Sequence, residues 1–175
     1  MNRVKSGWAN ETTEQSDWEQ WLAEHVPALL LFARQQTRSE ADARDVLQEA
    51  ALECWERQPE GRTPPLPLVF ATIRRRAIDL ARSNERRAQR ESAAGADSPQ
   101  NWFDPSPEDR ERARMLQDAM TRLTDIYRDV ITLKIWGGLT FEQIARALEI
   151  PANTAASRYR YGLAELRKAA KTIFA

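Results

Sequence analysis

The chain has 175 residues, no formal net charge and 30% charged residues, which is typical of one domain or of two small, surface-rich helical modules. One cysteine, Cys54, excludes an internal disulfide, and one histidine, His25, leaves no material for a hydrolase triad or a histidine zinc site. No apolar run reaches the length of a signal peptide or membrane span, so we expect a cytoplasmic protein. We also expect it to bind no metal or cofactor and to have no enzymatic activity.

The N-terminal part of the chain predicts one long helix after a disordered segment, residues 1–16. Ser16-x-x-Glu19 has the spacing of a capping box, and apolar residues follow at helical intervals to about Gln36. Pro27 lacks a backbone donor, so we expect it to break or restart this helix.

Two further helices complete a predicted first module, residues 17–90. Ser39 caps the second helix, whose apolar stripe ends with Cys54 and Trp55 before a loop rich in proline. Cys54 is predicted to be a small buried residue, and Trp55 is predicted to lie in the core. The third helix runs from about Leu68 to Arg90.

Residues 91–107 are mostly small, polar or proline, which predicts a flexible linker between two modules. Trp102 and Phe103 are unusual in such a segment. They would either pack on a neighbouring helix or contact a partner protein.

The second predicted module, residues 108–175, ends in a helix-turn-helix. Thr140-x-x-Gln143 forms a capping box for a short helix, and Asn153 is expected to cap a longer final helix. Side chains of that helix with suitable reach for DNA are Thr154, Ser157, Arg158, Arg160 and Tyr161. The whole chain is therefore predicted to be all-α, with two helical modules.

Charge is separated between the second and third helices. Residues 39–60 contain seven acids and two arginines, whereas residues 66–90 contain seven arginines and two acids. The two helices could simply pair with each other, but a one-sided basic stripe favours a phosphate backbone and the acidic helix favours a protein partner. The arginines predicted to face nucleic acid are Arg74, Arg75, Arg82, Arg86 and Arg87.

Several of these runs resemble the extracytoplasmic-function class of bacterial RNA polymerase sigma factors. The run 42–49 is similar to the family's acidic helix, and 73–79 with the following arginines is similar to its helix facing the minus-ten element. The runs 138–145 and 153–158 are similar to the family's region for the minus-thirty-five element. The resemblance extends over nearly the whole chain from about Glu19.

The resemblance implies a protein that binds polymerase core, at its clamp and flap regions, and directs promoter recognition and transcription initiation. The residues that it assigns to core binding are Asp42, Asp45, Gln48 and Glu49. The basic helix would contact the melted downstream element, and the final helix would contact the upstream duplex. An anti-sigma protein is a further partner that the resemblance implies.

Several positions depart from the family's usual pattern. Arg44 replaces an acid, Leu68 a tryptophan, Arg75 an asparagine and Glu149 a glycine, and Tyr161-Gly162 stands where Arg-Ala is usual. A left-handed backbone at Glu149 would be strained by about 1 kcal/mol, so we expect the turn to differ there.

Two other functions remain open from the residues alone. A stand-alone helix-turn-helix regulator would bind its site without polymerase, usually as a symmetric dimer. A helical adaptor would use the basic stripe to bind an acidic protein.

Overall fold

The computed structural model describes residues 8–59, 62–91 and 101–173, and these form seven α-helices and no strand. The predicted all-α fold with two modules is therefore confirmed. The helices are α1 (Trp8–Gln36), α2 (Glu40–Glu56), α3 (Leu66–Glu91), α4 (Arg110–Thr121), α5 (Asp125–Ile135), α6 (Phe141–Leu148) and α7 (Ala152–Ile173). Helices α1–α3 form the first module and α4–α7 the second.

Helix α1 is longer and more regular than its sequence predicted. It begins at Trp8, so the predicted cap at Ser16 is wrong. The disorder predicted for residues 1–16 is wrong from Trp8 onward, and residues 1–7 lie outside the described residues. No glycine or proline interrupts the chain between Trp8 and Val26, and the segment contains good helix formers. The expected break at Pro27 is also wrong, because Pro27 and Ala23 are exposed and water can satisfy the carbonyl that loses its donor.

Helices α1, α2 and α3 pack against one another around aromatic and small residues. Phe32 of α1 meets Phe70 of α3 edge to face, with ring centroids 5.4 Å apart. Cys54 is buried, as predicted, and its thiol donates to the Thr72 hydroxyl at 3.3 Å. Helix α3 begins at Leu66, two residues earlier than expected, because Pro67 lies in the first turn, where no backbone donor is needed.

Close contact between α5 and α7 organises the second module. A Cβ built on Gly162 of α7 would lie 2.9 Å from Ile131 Cδ1 and 3.0 Å from Tyr127 Cβ. Glycine therefore permits an approach that a larger residue would prevent. This explains the glycine within an otherwise regular helix.

The two modules share one apolar core instead of lying apart. The main cluster of buried residues includes Phe70 and Ile73 of α3 together with Val130, Leu133 and Ile144 of the second module. A Cβ on Gly137 would lie 3.1 Å from the Phe70 ring, so the modules meet closely there. The fold is thus two modules in direct contact.

The end of the predicted linker is packed, which corrects the expectation of a flexible segment over all of 91–107. Trp102 is only 8% exposed and lies in a second cluster with Leu31 of α1 and Met120 of α4. Its backbone N–H donates to Gln117 Oε1 at 2.8 Å, and Phe103 packs on Trp136. The pair Trp102 and Phe103 therefore packs on neighbouring helices, while 92–100 lie outside the described residues.

A buried arginine connects the first module to this packed segment. Arg34, 5% exposed, donates to both carboxylate oxygens of Glu40, at 2.8 and 3.0 Å. Its Nη1 also donates to the Trp102 carbonyl at 3.0 Å and to Asp104 Oδ2 at 2.8 Å. These charged hydrogen bonds hold the pKa of Glu40 at about 2, well below its usual range.

Within the described residues, none of the helices has a stretch long and apolar enough to cross a bilayer.

Truncating the packed side chain of Trp102 should destabilise the fold. Trp102→Ala should lower the free energy of unfolding by about 3 kcal/mol, because it leaves a cavity between α1, α4 and α5. Urea denaturation followed by circular dichroism measures this. Trp55→Ala is the matched control: Trp55 is 51% exposed, so its truncation should cost about 1 kcal/mol or less. Equal losses for the two variants would show that residues 101–107 are not packed in solution.

Candidate nucleic-acid interface

Helices α6 and α7 form the predicted helix-turn-helix. The capping box is confirmed: Thr140 Oγ1 accepts from the Gln143 backbone N–H at 3.2 Å, and Gln143 Oε1 accepts from the Thr140 N–H at 2.8 Å. Helix α6 ends at Leu148, and the next residue, Glu149, has a left-handed backbone with φ of 56° and ψ of 46°. The turn therefore keeps a left-handed residue at this position, and the expectation that it would differ without glycine is wrong.

Helix α7 presents part of the predicted recognition surface to solvent. It begins at Ala152, so the cap expected at Asn153 is wrong; Asn153 lies in the first turn after Pro151. Arg160 and Tyr161 are exposed, Tyr161 by 56%, and the Arg160 guanidinium lies 5.4 Å from the centre of the Tyr161 ring. The other predicted contacts on this helix are half-buried; they are Thr154, Ser157 and Arg158.

The arginine side chains that the structure describes on α3 fall into three groups. Arg75 and Arg76 both form ion pairs with Glu53 of α2, and Arg76 Nη1 also donates to Glu49 at 3.1 Å. Burial alone would raise the pKa of Glu53, but these arginines lower it below its ordinary value. Arg75, one of the residues predicted to contact DNA, therefore takes part in the ion pairing between the acidic helix and the basic helix.

The second group lies in the C-terminal half of α3, where residues 81–87 are all exposed. Arg82 is 71% exposed and lies 4.0 Å from Asp79, at the limit of an ion pair. The Arg86 Nε donates to the Arg82 carbonyl at 3.1 Å, and Arg87 follows on the same exposed stretch. This half of α3 provides the accessible basic surface.

Arg74 forms the third group because it faces the second module. Its Nε lies 3.9 Å from Asp129 Oδ2 of α5. Asp129 is 7% exposed and accepts from Gln36 Nε2 at 2.7 Å. Burial raises the pKa of Asp129 to about 6, although Gln36 and Arg74 act in the opposite direction.

Part of the acidic side of α2 does not pair with α3 and is open to solvent. Asp45 and Gln48 are exposed, and the Glu49 side chain is 60% exposed while bonded to Arg76. Asp42 is half-buried, and its backbone N–H donates to the Ser39 cap at 3.1 Å. Three of the four predicted docking residues are therefore accessible, and Asp42 is partly so.

Two apolar residues extend this acidic face, and the sequence reading missed them. Leu52 is 46% exposed and Trp55 is 51% exposed, so the prediction that Trp55 lies in the core is wrong. Trp55 stacks on Trp18, with ring centroids 6.1 Å apart. Asp45, Gln48, Leu52 and Trp55 follow one another at intervals of three or four residues, which places all four on one side of α2 and could have indicated the two apolar residues.

Family comparisons match the two modules separately. The sigma-70 region 2 family matches residues 21–87, and the sigma-70 region 4 family matches residues 113–166. The first match covers most of α1–α3, and the second extends from α4 into α7.

Similar whole proteins agree with these matches. SigL of Mycobacterium tuberculosis (strain CDC 1551 / Oshkosh), an ECF RNA polymerase sigma factor, is 31% identical over 152 residues, covering 82% of this chain and 83% of SigL. SigK of Mycobacterium sp. (strain KMS), also an ECF sigma factor, is 34% identical over 106 residues, covering 59% of this chain. The match spans only 55% of the length of SigK.

A solved structure shares the fold. The sigma factor RpoE of Bartonella quintana, in complex with the anti-sigma factor NepR, superposes with a TM-score of 0.71 at 22% identity. The superposition covers 89% of this chain and 97% of RpoE.

The backbone strain in the left-handed turn between α6 and α7 can be relieved by one substitution. Glu149→Gly should raise the free energy of unfolding by about 1 kcal/mol, because glycine adopts a positive φ without the Cβ clash. Thermal or urea unfolding measures the change. Glu149→Ala is the control, since it removes the carboxylate but retains the Cβ, and should give no gain. Equal stabilisation by Ala and Gly would assign the effect to charge instead of backbone strain.

Proposed function

The chain belongs to the extracytoplasmic-function family of RNA polymerase sigma factors, and we propose that it binds polymerase core and directs it to promoters. The observation that carries the proposal is the presence, in one chain, of an acidic face on α2 and two separate basic surfaces on α3 and α7. A protein partner fits the first surface, and nucleic acid fits the other two. The protein has no catalytic step of its own and works in the cytoplasm.

The proposed core-docking surface is the side of α2 that carries Asp45, Gln48, Leu52 and Trp55. The two polar residues provide charge and hydrogen bonding, and the two apolar residues add surface that a partner can bury. Glu49 belongs to the proposed core-docking residues and also joins α2 to α3, because it bonds to Arg76. Asp42 lies at the N-terminal edge of this surface.

The proposed promoter contacts differ between the two modules. The phosphates of the downstream element would be contacted by Arg82, Arg86 and Arg87. Arg74 would join them once its guanidinium has moved away from Asp129. Arg75 serves mainly to pair with Glu53. Arg160 and Tyr161 would reach base edges of the upstream duplex, beside the half-buried residues Thr154, Ser157 and Arg158. Tethering both modules to one polymerase raises their effective concentration at the promoter.

An anti-sigma protein is a further proposed partner, because the fold occurs in RpoE in complex with one. Run-off transcription with purified core and genomic promoters tests the whole proposal. Defined start sites that require this protein would support it. Tight, specific binding to a palindrome without core would overturn it in favour of a stand-alone regulator.

Charge reversal on the exposed side of α2 should weaken core binding. Asp45→Lys should lower the affinity for core about 30-fold, since a repulsive charge replaces an attractive one at the interface. Competition with a labelled sigma factor for core measures this. Asp118→Lys on α4 is the matched control, because Asp118 is also exposed on a helix but lies in the second module. If Asp45→Lys competes as well as the control, α2 is not the docking surface.

Arginine-to-alanine substitutions should separate base recognition from phosphate binding. Arg160→Ala should remove about 1–3 kcal/mol of binding free energy at one or two positions of the upstream element and relax the base preference there. Arg86→Ala should weaken all sequences alike and reduce the salt dependence by about one counterion. Selection from a promoter library with each holoenzyme measures both. An unchanged preference profile for Arg160→Ala would remove that residue from base recognition.

A further inference from the structure

Two neighbouring residues of α7, Arg160 and Tyr161, make a contact that helical geometry does not produce by itself. The Arg160 guanidinium carbon lies 5.4 Å from the centre of the Tyr161 ring, within the range of a cation–π interaction. Consecutive side chains of a helix point in directions about 100° apart, so they do not normally face each other. The arginine side chain must therefore bend along the helix surface to lie over the ring. We call these two residues the Arg–Tyr pair.

The packing of α7 keeps the Arg–Tyr pair on the outer side of the helix. Gly162 lies directly against α5, where an added Cβ would be 2.9 Å from the nearest side-chain atom. Ala155 is buried, and the ring of Tyr159 packs against an aromatic ring of α6. These inward contacts are three or four residues apart and fix the rotation of α7 about its own axis. Both members of the pair are consequently exposed, Tyr161 by 56%.

The contact with the ring leaves the hydrogen-bond donors of Arg160 available. A carboxylate partner would accept hydrogen bonds from the guanidinium, whereas the face of an aromatic ring attracts it mainly through the ring quadrupole. Among the residues that the structure describes, no carboxylate forms an ion pair with Arg160. Arg75 of α3 provides the contrast, because its guanidinium is held by Glu53. Arg160 is therefore oriented while its donors stay free.

Orientation matters for base recognition because a long side chain loses freedom when it binds. A solvated arginine samples many rotamers, and fixing them opposes the contact with a base edge. Arginine recognises a base through two parallel hydrogen bonds, so both the plane and the reach of the guanidinium must be correct. A neighbouring ring that restricts those rotamers in advance makes the contact more favourable. Tyrosine suits this role, because its own side chain has only two χ angles to fix.

We propose that Tyr161 is a positioning residue for Arg160: its ring holds the guanidinium toward the major-groove edge of the upstream element, and Arg160 makes the base contact. The inference rests on the proposed function and deepens it, because it gives the two exposed residues different roles in reading the same element. Tyr161, which stands where arginine is usual in the family, then selects no base independently of Arg160.

Substitutions of the ring test this role. Base preferences in the upstream element are measured by selection from a promoter library with the holoenzyme of each variant. Arg160→Ala identifies the one or two positions that Arg160 reads. Tyr161→Ala should weaken the preference at those same positions about threefold, because the arginine remains but is no longer oriented. Since the number of positive charges is unchanged, the salt dependence of binding should stay as in the wild type.

Two conservative variants separate the π face of the ring from its hydroxyl and its bulk. Tyr161→Phe keeps the ring and should retain the wild-type preference. Tyr161→Leu keeps an apolar side chain without a π face, and it should behave as Tyr161→Ala does. Ile126→Ala is the matched control, because Ile126 is also exposed in the second module, by 48%, and its truncation should leave the base preferences unchanged.

The double variant Arg160→Ala with Tyr161→Ala completes a cycle of four proteins. If Tyr161 acts only through Arg160, the double variant should have the same preference profile as Arg160→Ala alone. Additive losses, or a loss at a different position in Tyr161→Ala, would show that the tyrosine contacts a base itself and would overturn the inference.

The remaining outcomes separate this inference from the proposed function. An unchanged profile in Tyr161→Ala, or a loss of preference in Tyr161→Phe, would remove the ring as the positioning group while the wild type still selects promoters. In those cases the inference fails and the proposed function stands. If the wild-type protein directs core to no defined start site, the proposed function fails, and this inference fails with it.

Discussion

The buried guanidinium of Arg34 is the interaction on which the arrangement of the first module and segment 102–104 depends. An arginine that is 5% exposed is tolerated only when its charge and its donors are matched, because desolvation of an unpaired ion costs several kcal/mol. Glu40 supplies a bidentate partner at the start of α2, and Asp104 with the Trp102 carbonyl supplies the rest. The end of α1, the start of α2 and segment 102–104 are therefore fixed relative to one another.

Local signals in the sequence were enough to predict α2 and α6. Ser39 and Thr140 accept the hydrogen bonds expected of cap residues. Each signal depends on residues within one turn of the helix terminus, so the sequence contains all that is needed. The start of α1 was mispredicted for the same reason, because Ser16 has the local pattern of a cap but lies within a longer helix.

Contacts between distant residues could not be predicted in this way. Arg34 bonds to residues 68 and 70 positions away, and Gln36 bonds to Asp129 across 93 positions. Neither Asp104 nor Asp129 differs, in its local sequence, from a solvated aspartate. The division of the α3 arginines has the same origin: helical spacing places Arg75 and Arg82 on one stripe, but only the packing of α2 brings Glu53 to Arg75. The stripe was therefore predicted correctly as basic, and its division between ion pairing and exposed surface was not.

The contact between the modules includes a buried carboxylate, Asp129, whose ionisation at neutral pH is less favourable than that of a solvated carboxylate. Burial raises the pKa of Asp129 from 3.8 to about 6, so at neutral pH its charged form is disfavoured by up to about 3 kcal/mol relative to a solvated carboxylate. Because the pKa is raised in the folded state, this cost is present above pH 6 and disappears as the pH falls toward 3.8. Only part of this cost arises at the contact between the modules, since α5 itself also buries the carboxylate. An apolar residue in place of Asp129 would avoid the cost and would make the two modules harder to separate. A carboxylate that is hydrogen-bonded but poorly solvated therefore opposes the packing around it at neutral pH, and opposes it less as the pH falls.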